Sequence, residues 1–583
     1  MIYFAIFLIP FVMNPFGFQT FGIVKVCFFL AVVGGFLGYM GIRCPAMAGR
    51  LLVGPPVAGG VNKWVLVFLL FWVLSFFLSV LFSLNPAQSL FGEYFYLQGA
   101  LFYLFVAVHF LICWKIFSKK GMVDRFLSVV KWVGLGVAVY AIVQYFYLDA
   151  EYLGRVYGTV GNPNFLAQFL IFPLFVVLFE KGRWKWIIFA VILLAILMTG
   201  SRAVMLGILV SLYLWFLFYG KISKIWKLIF SVVLVGIVVG GLLLLDFDMR
   251  SVYSRLLLWG SIGDLVNLKD FVFGSGIETF ARRYVEVMPK EVFEYENFFK
   301  IPRDMHNEVL HTFVERGVFG TILYLIPIGF LIWNLFWKKV DAGVAMVGFA
   351  LLAYVVSVQF SFSTVVHYVF LAAFWAVFLI GVLGKGGKVF GFKNFVVRIF
   401  SGLILVCLSV FVLFSSFSLM RSDFLLRKGM DSYAAYDQSA FDVFEEAADS
   451  SLVYAYPYEL IVDFFGSEVA LSRYGRITEY DFMYNVLAMR VAQLNQKTDK
   501  FLFYYLRGVN DSPNYPVLYV NAGVFYHSIR ECDKAIHKFE ILESLAPDYE
   551  EGTEEYRLFI KHASGFEKAM GMLDECRAEV AER

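Results

Sequence analysis

Three side chains of the sequence, Arg202, Arg255 and His306, have the chemistry needed to move a group from a charged leaving group to an alcohol. Arg202 lies in a very short turn between two hydrophobic runs, and His306 lies where a polar stretch meets the next run. A guanidinium binds phosphate oxygens in a planar, bidentate geometry. An imidazole titrates near neutral pH and can accept a hydroxyl proton. If the two arginines converge, they predict a clamp for a diphosphate, with His306 as the base.

Each of these residues also has a structural interpretation, and the sequence leaves both open. Arg202 can snorkel to the membrane interface. Arg255 lies in a segment with the pattern of an amphipathic interfacial helix, where it can contact anionic headgroups. His306 can be an interfacial polar residue beside Asp304 and Asn307, which would then only start the next helix; Asp304 is the predicted N-cap.

The surrounding elements are predicted to be membrane helices. The chain has 583 residues, is 60% hydrophobic and 19% aromatic, and has a mean hydropathy of +0.73. Repeated apolar runs of about twenty residues indicate an all-α, polytopic helical membrane protein with about twelve or thirteen transmembrane helices. The runs fall at roughly 1–13, 22–42, 64–84, 97–117, 126–147, 163–179, 185–199, 203–219, 226–245, 308–337, 343–361, 365–383 and 395–420.

The charges between these runs predict the orientation. Alternate connections, such as 115–125, 181–185 and 221–227, are rich in Lys and Arg, whereas the other short connections carry almost none. The positive-inside rule makes the basic set cytoplasmic. The large loop 246–306, the Arg202 turn and everything from residue 421 onward are therefore expected on the external side.

The chain is predicted to divide into a membrane domain, 1–420, and a soluble helical domain, 421–583. Residues 1–420 carry 32 Lys and Arg against 18 Asp and Glu, and residues 421–583 carry 17 against 28. The basic excess lies in the membrane part and indicates topology, not nucleic-acid binding. In the tail, six residues match the spacing of a tetratricopeptide repeat, although an ordinary helical hairpin stays open: Tyr519, Gly523, Tyr526, Ala535, Phe539 and Pro547. A degenerate copy is suggested near 433–447.

Several other motifs carry weaker signals. Asp246-Phe247-Asp248 resembles an acidic metal-binding pair but is more simply a boundary at the membrane exit. Gly274-Ser275-Gly276 predicts a tight turn without the strand and helix of a nucleotide site. No Cys/His cluster suggests a metal, and whether Cys532 and Cys576 pair stays open. The segment 161–164 predicts an external turn that starts a helix.

The ordered set of motifs resembles the O-antigen ligase and O-antigen polymerase superfamily over about residues 1–420. The matching pieces are Asn14-Pro15-Phe16-Gly17 with Lys25, Gly161-Asn162-Pro163-Asn164, Gly200-Ser201-Arg202-Ala203, Arg255 with Trp259, Phe273-Gly274-Ser275-Gly276, and Asp304-Met305-His306-Asn307 with Gly317 and Gly320. The resemblance implies a glycosyltransferase without metal or other cofactor. It also implies transfer of a glycan from an undecaprenyl-diphosphate carrier to an acceptor hydroxyl outside the bacterial cytoplasmic membrane.

Carried over by position, the resemblance implies roles for individual residues. Arg202 and Arg255 would hold the diphosphate, and His306 would activate the acceptor hydroxyl. The supporting residues would be Asp304, Asn307, Arg303, Asn162, Asn164 and Lys25. His311 is a further neighbour of His306.

The acceptor and the exact task stay open at this point. Ligation to a lipid, polymerisation of a glycan and protein O-glycosylation share the same chemistry with different acceptors. The tail departs from the family pattern and suggests a grip on a protein acceptor or an assembly partner. A glycan transporter, which predicts inverted repeats and charges at mid-membrane depth, and a scaffold acting through 421–583 alone are the alternatives of other classes.

Overall fold

The structure, a computed structural model, describes most of the chain. The described residues are 6–43, 61–148, 154–229, 231, 249–295, 298–338, 340–384, 395–451, 454–478, 481–548, 553, 556, 559 and 563–582. The acidic pair at 246–248 and most of the predicted span 226–245 lie outside them.

The regular elements of the described residues are helices, which confirms the predicted all-α class. In chain order they are α1 (Gly22–Arg43), α2 (Lys63–Leu81), α3 (Pro86–Phe91), α4 (Ala100–Phe117), α5 (Met122–Tyr147), α6 (Pro163–Phe179), α7 (Lys185–Met198), α8 (Arg202–Tyr219), α9 (Arg250–Gly260), α10 (Ile262–Leu265), α11 (Leu268–Phe273), α12 (Phe280–Val287), α13 (Glu308–Trp333), α14 (Ala342–Ser357), α15 (Val365–Leu383), α16 (Phe395–Ala434), α17 (Ala440–Ser450), α18 (Tyr456–Phe465), α19 (Glu468–Thr478), α20 (Phe482–Leu494), α21 (Thr498–Asp511), α22 (Pro516–Ser528), α23 (Cys532–Leu545) and α24 (Ser564–Glu582).

Nine helices within the described ranges are long and apolar enough to cross a membrane. They are α1, α2, α4, α5, α8, α13, α14, α15 and α16 from Gly402 onward. Two shorter apolar helices, α6 and α7, accompany them. This confirms a polytopic helical membrane protein; the predicted total of twelve or thirteen spans includes segments outside the described residues.

Helix α6 is the centre of the membrane bundle. Every residue from Leu166 to Val177 is buried, and the helix packs against α5, α7 and α14. Gly134 of α5 lets α5 and α6 approach closely, since a Cβ at this position would lie 2.2 Å from the Pro173 side chain. In contrast, α2 exposes Trp64, Leu70 and other large apolar side chains, as expected of a helix that faces lipid.

Helix α13 is broken near its N-terminal end, and the break anchors the loop that precedes the helix. Gly317 has φ 63° and ψ −169° inside the helix, a conformation that glycine adopts readily. The break frees backbone acceptors of the preceding turn. The Val314 carbonyl accepts from Ser275 N at 2.9 Å and the Glu315 carbonyl from Gly276 N at 3.1 Å. The predicted glycine turn is therefore confirmed as a tight turn, and it docks on α13.

The loop that precedes α13 and the tail share one hydrophobic core. Loop residues such as Phe280, Tyr284 and Phe298 pack in the same buried cluster as tail residues such as Phe501 and Phe539. Backbone carbonyls of the loop accept bonds from the tail: Val285 O from Ser512 Oγ at 2.6 Å and Met288 O from Asn514 Nδ2 at 2.9 Å. The tail thus supports the loop that carries the predicted site residues.

Helix α16 runs without interruption through residue 420, where the two predicted domains meet. Just past this point, Ser422 Oγ donates to Ala447 O at 2.8 Å, and Arg421 pairs with Glu446 at 2.6 Å. The membrane helix and the first tail helices are therefore joined by direct contacts.

Helices α22 and α23 form the hairpin that the tail pattern predicts. Gly523 lies so close to Phe539 that an added Cβ would be 2.3 Å from the ring, and Ala535 is fully buried. Both the repeat and the ordinary hairpin predict this packing, so the assignment to tetratricopeptide repeats stays a prediction. Cys532 and Cys576 form a disulfide between α23 and α24.

Candidate active site

His306 lies in a strained turn at the entrance to α13. Its φ is +49°, in the left-handed region that non-glycine residues seldom occupy, which is often a mark of functional sites. The turn is held by Asp304, whose Oδ1 accepts from His306 N at 2.5 Å. The prediction that Asp304 caps α13 is wrong. Asn307 is the N-cap, and its Oδ1 accepts from Val309 N at 3.1 Å and Leu310 N at 3.0 Å.

Asp304 also links the His306 turn to α13. Its second carboxylate oxygen, Oδ2, lies 3.6 Å from His311 Nε2, which lies 3.3 Å from Glu315 Oε1. Asp304 and Glu315 are both buried. Since Asp304 is too early in the chain to cap the helix, it is available to brace the backbone of His306.

Arg255 lies on α9, one helical turn before Trp259, which contacts the His306 turn. Its Nη1 donates to Ser251 O at 2.8 Å and to Ser251 Oγ at 2.6 Å. Trp259 follows on the same face and donates from Nε1 to Met305 O at 2.8 Å. The helix predicted around Arg255 is confirmed as α9, and it packs beside Met305.

Arg202 is exposed at the first position of α8, after a turn of only three residues. The turn is fixed by Arg155, whose Nε donates to Thr199 O at 2.6 Å and whose Nη2 donates to Asn164 Oδ1 at 2.9 Å. The Asn162 side chain caps α6 by accepting from Asn164 N at 2.8 Å. The predicted helix start at 161–164 is therefore confirmed, and it lies against the Arg202 turn.

These parts meet around one short segment between α14 and α15. The ring of Phe362 lies 5.7 Å from His306 and 4.9 Å from Phe165, next to Asn164. Phe360 lies 6.3 Å from Trp259, and α8, which starts at Arg202, contacts the turn 358–360. The elements that carry the three predicted residues thus approach the same segment, 358–362.

The Lys25 side chain is buried, whereas a side chain that contacts lipid headgroups would be exposed. Its side chain is 2% exposed, and its ammonium donates to Val12 O and, at 2.8 Å, to Thr159 O. These bonds tie the N-terminal segment to the 159–162 turn. A contact between Lys25 and a phosphate stays a prediction.

Arg303 is held in place by an ion pair and an aromatic ring. Its Nη1 pairs with Glu93 Oε1 at 2.7 Å, and its guanidinium lies 4.0 Å from the centre of the Phe95 ring. Burial raises the pKa of Glu93, and Arg303 partly offsets this. Glu278 accepts from Glu93 N and, at 2.8 Å, from Gln98 N; burial raises its pKa well above the usual value.

Three cavities lie around Arg303, Glu278 and the start of α13. A cavity of about 210 Å³ lies among α2, α4, α13, α14 and α15, and its mostly apolar wall includes Trp72 and Trp375. A second, of about 40 Å³, is lined by Asp304, Phe362 and several carboxylates. A third, of about 730 Å³, lies between the membrane part, the loop and the tail. Arg202, Arg255 and His306 do not line these three cavities, so their convergence on one cavity stays a prediction.

Sequence reasoning missed the buried Glu315 and the half-buried Glu93 and Glu278. The signal was present for Glu315, since an ionisable residue within an apolar run indicates a functional or paired group. Glu93 and Glu278 gave no such signal because their environment depends on distant segments. Within the described ranges, no group of three His, Cys, Asp or Glu side chains is placed to hold a metal.

Comparison with known families points to the same region of the chain. Residues 187–325 match the family model described as O-antigen ligase. The matched stretch runs from α7 into α13 and contains Arg202, Arg255 and His306. It supports the resemblance to the O-antigen ligase superfamily and, with it, glycan transfer in the ligase and polymerase class. No curated protein matches the chain.

Proposed function

We propose that the protein transfers a glycan from an undecaprenyl-diphosphate carrier to an acceptor hydroxyl at the external face of the bacterial cytoplasmic membrane. One observation carries the proposal. The stretch that matches the O-antigen ligase family contains Arg202, Arg255 and His306, and the elements bearing these residues approach one segment, 358–362.

The reaction assigned to these residues is a displacement at the anomeric carbon of the donor glycan. The acceptor oxygen forms a bond to that carbon, and the bond from the carbon to the phosphate oxygen breaks. The carrier diphosphate leaves with the electron pair, and its added charge is stabilised by Arg202 and Arg255. The hydroxyl proton passes to His306, the general base. The step needs no metal or other cofactor.

The proposal places the loop and the tail outside the cytoplasm. Besides the charge pattern of the loops, the Cys532–Cys576 disulfide supports this side, since such bonds persist in oxidising compartments and are rare in the cytosol. The donor's lipid tail would stay in the bilayer while its glycan reaches the site from the external face.

The acceptor is proposed to be a large glycan, a lipid anchor or a protein. The tail favours a large acceptor, because residues of 421–583 form one wall of the cavity of about 730 Å³. Comparing the glycolipids, polysaccharides and glycoproteins of a strain with and without the protein would identify which product loses sugar.

Replacing Arg202, Arg255 or His306 singly with Ala is expected to lower transfer by at least about 100-fold, since each variant loses a group that acts on charge or proton in the transition state. The measurement is glycan transfer in membranes that contain equal amounts of each variant. Arg183→Ala, on the predicted opposite side of the membrane, is the control and should keep wild-type transfer. Normal transfer by all three variants contradicts the site assignment.

A further inference from the structure

The largest of the three cavities, about 730 Å³, has walls from three parts of the chain. Segment 85–96 closes the membrane side, loop residues 281–303 form a second wall, and tail residues from α18 to α20 form the third. This volume lies within the range of about 300–1,000 Å³ that is common for ligand sites. The space is therefore large enough for a ligand of several rings.

The walls of this junction cavity are fixed by hydrogen bonds between the three parts. Arg282 Nε donates to Gln88 Oε1 at 2.7 Å, and its Nη1 lies 2.7 Å from Asp481 Oδ2. Asn85 Nδ2 donates to Ile477 O at 3.1 Å. Since these bonds connect all three parts, the wall formed by the tail is in place before a ligand binds. Binding therefore costs little conformational entropy there.

The lining alternates aromatic rings with planar polar groups. The rings are Tyr94, Phe95, Tyr96, Phe299, Tyr454, Tyr456, Tyr474, Phe482 and Tyr515. Carboxylate, amide and guanidinium groups of Glu459, Gln88 and Arg303 lie among them. Aromatic faces pack against the C–H faces of pyranose rings, and planar polar groups bond pairs of hydroxyls. This combination fits a saccharide.

The charges in the cavity favour a neutral ligand. Three acidic side chains, Glu93, Glu459 and Asp481, face three basic ones, Arg282, Lys300 and Arg303. A polyanionic ligand would be repelled by the acidic side chains, and a polycationic ligand would be repelled by the basic ones. Peptide grooves usually offer a free strand edge or a continuous apolar stripe, and the walls of this cavity consist of helices and turns with mixed polar groups.

The junction cavity also adjoins the His306 turn. Glu93, Tyr96 and Arg303 line both this cavity and the small cavity of about 40 Å³. The small cavity reaches Asp304 and Phe362, which contact His306. A saccharide bound in the junction cavity would therefore extend past Arg303 toward the proposed base.

From this geometry we infer that the junction cavity binds the acceptor glycan as a neutral oligosaccharide, with tail residues of α18 forming part of the binding site. Identifying the bound saccharide as the acceptor rests on the proposed function. The binding of a saccharide can be measured without any transfer.

The test measures equilibrium binding of a panel of neutral tri- to pentasaccharides, built from hexoses and N-acetylhexosamines, to purified full-length protein in detergent. Saturation-transfer NMR reports contact, and titration gives Kd. Ala455→Trp places a large ring in the cavity wall. Glu459→Gln keeps the shape of the side chain and removes one charged hydrogen-bond acceptor. This change is expected to raise Kd roughly tenfold. Ala435→Trp, at an exposed position at the end of α16, is the matched control.

The inference predicts that wild type, Ala435→Trp and His306→Ala bind the same oligosaccharide equally. It also predicts that Ala455→Trp and Glu459→Gln weaken this binding by about tenfold or more, while thermal unfolding is unchanged in Ala455→Trp and not lowered in Glu459→Gln. Oligosaccharide binding that Ala455→Trp leaves intact, or no binding by any member of the panel, overturns the inference. Displacement of the saccharide by a Ser/Thr-rich peptide that binds more tightly overturns it in favour of a protein acceptor.

The two proposals fail separately. Normal transfer by His306→Ala contradicts the proposed function and leaves saccharide binding untouched. Loss of transfer in His306→Ala, together with wild-type saccharide affinity in Ala455→Trp, supports the proposed function and rejects the junction cavity as the acceptor site.

Discussion

At the scale of single residues, the turn at His306 is the feature most directly connected with chemistry. A left-handed histidine costs of order 1–3 kcal/mol and persists only where its surroundings impose it. Here Asp304 bonds the His306 backbone with one oxygen and faces His311 with the other. The sequence indicated His306, but it gave Asp304 the wrong role, because the helix starts three residues later than an Asp304 cap requires.

Asp304 is expected to act as a positioning residue for His306. Asp304→Ala removes the acceptor for His306 N, and we predict a fall in kcat of roughly 100-fold, the cost of displacing a reacting group by about 1 Å. Asp304→Asn keeps an oxygen at this position and should recover most of the rate. The donor KM should not change in either variant.

A KM that rises with kcat unchanged in Asp304→Ala would point instead to a role in binding. Equal losses in Asp304→Ala and Asp304→Asn, without recovery, would contradict positioning through the His306 backbone.

At the scale of elements, the break in α13 determines where the preceding loop docks. Hydrophobic periodicity predicted one span over 308–337, and the helix is there. The break at Gly317 could not be predicted from periodicity, because a glycine inside an apolar helix is common and its φ depends on the turn 274–276 packed against it. A Cβ at Gly317 would lie 2.3 Å from Val272 O.

Gly317→Ala is expected to destabilise the protein by about 1–3 kcal/mol or more, because alanine is strained at positive φ and has no room there. Thermal unfolding in detergent measures the loss. Gly329→Ala, in the same helix with open space around the position, is the matched control and should be neutral or stabilising. Equal unfolding temperatures of the two variants would contradict the account of the break.

At the scale of the whole molecule, the tail and the loop before α13 form one packed unit. The sequence predicted its helices and its acidic character from local pattern. It did not predict the core that the tail shares with the loop or the junction cavity. These depend on contacts such as Asn85 with Ile477 and Gln88 with Arg282, which join positions hundreds of residues apart. Local periodicity carries no information about such pairs.

The half-buried carboxyl of Glu459 in the tail predicts a pH effect on stability. Burial raises the pKa of Glu459 to about 7 from an ordinary value of 4.5. Between these values the folded protein holds more protons than the unfolded chain, so the free energy of unfolding should fall as the pH rises from about 4.5 to 7. Glu459→Gln carries no titrating proton and should show a flatter profile, with its gain over wild type growing toward neutral pH.

Thermal unfolding at pH 5, 6, 7 and 8 measures this difference. Glu540→Gln, at an exposed site paired with Arg577, is the control and should follow the wild-type profile. A constant difference between Glu459→Gln and wild type at every pH would contradict the raised pKa of this carboxyl.

Glycan transfer by this protein is expected to depend on His306. Its most direct test uses purified protein in detergent, where no membrane separates two compartments, with an undecaprenyl-diphosphate-linked glycan and the acceptor fraction from cells. The account predicts release of undecaprenyl diphosphate and a glycosylated acceptor with wild type, and at least about 100-fold less of both with His306→Ala. Equal product from wild type and His306→Ala, or no product from wild type that is active in membranes, would contradict it.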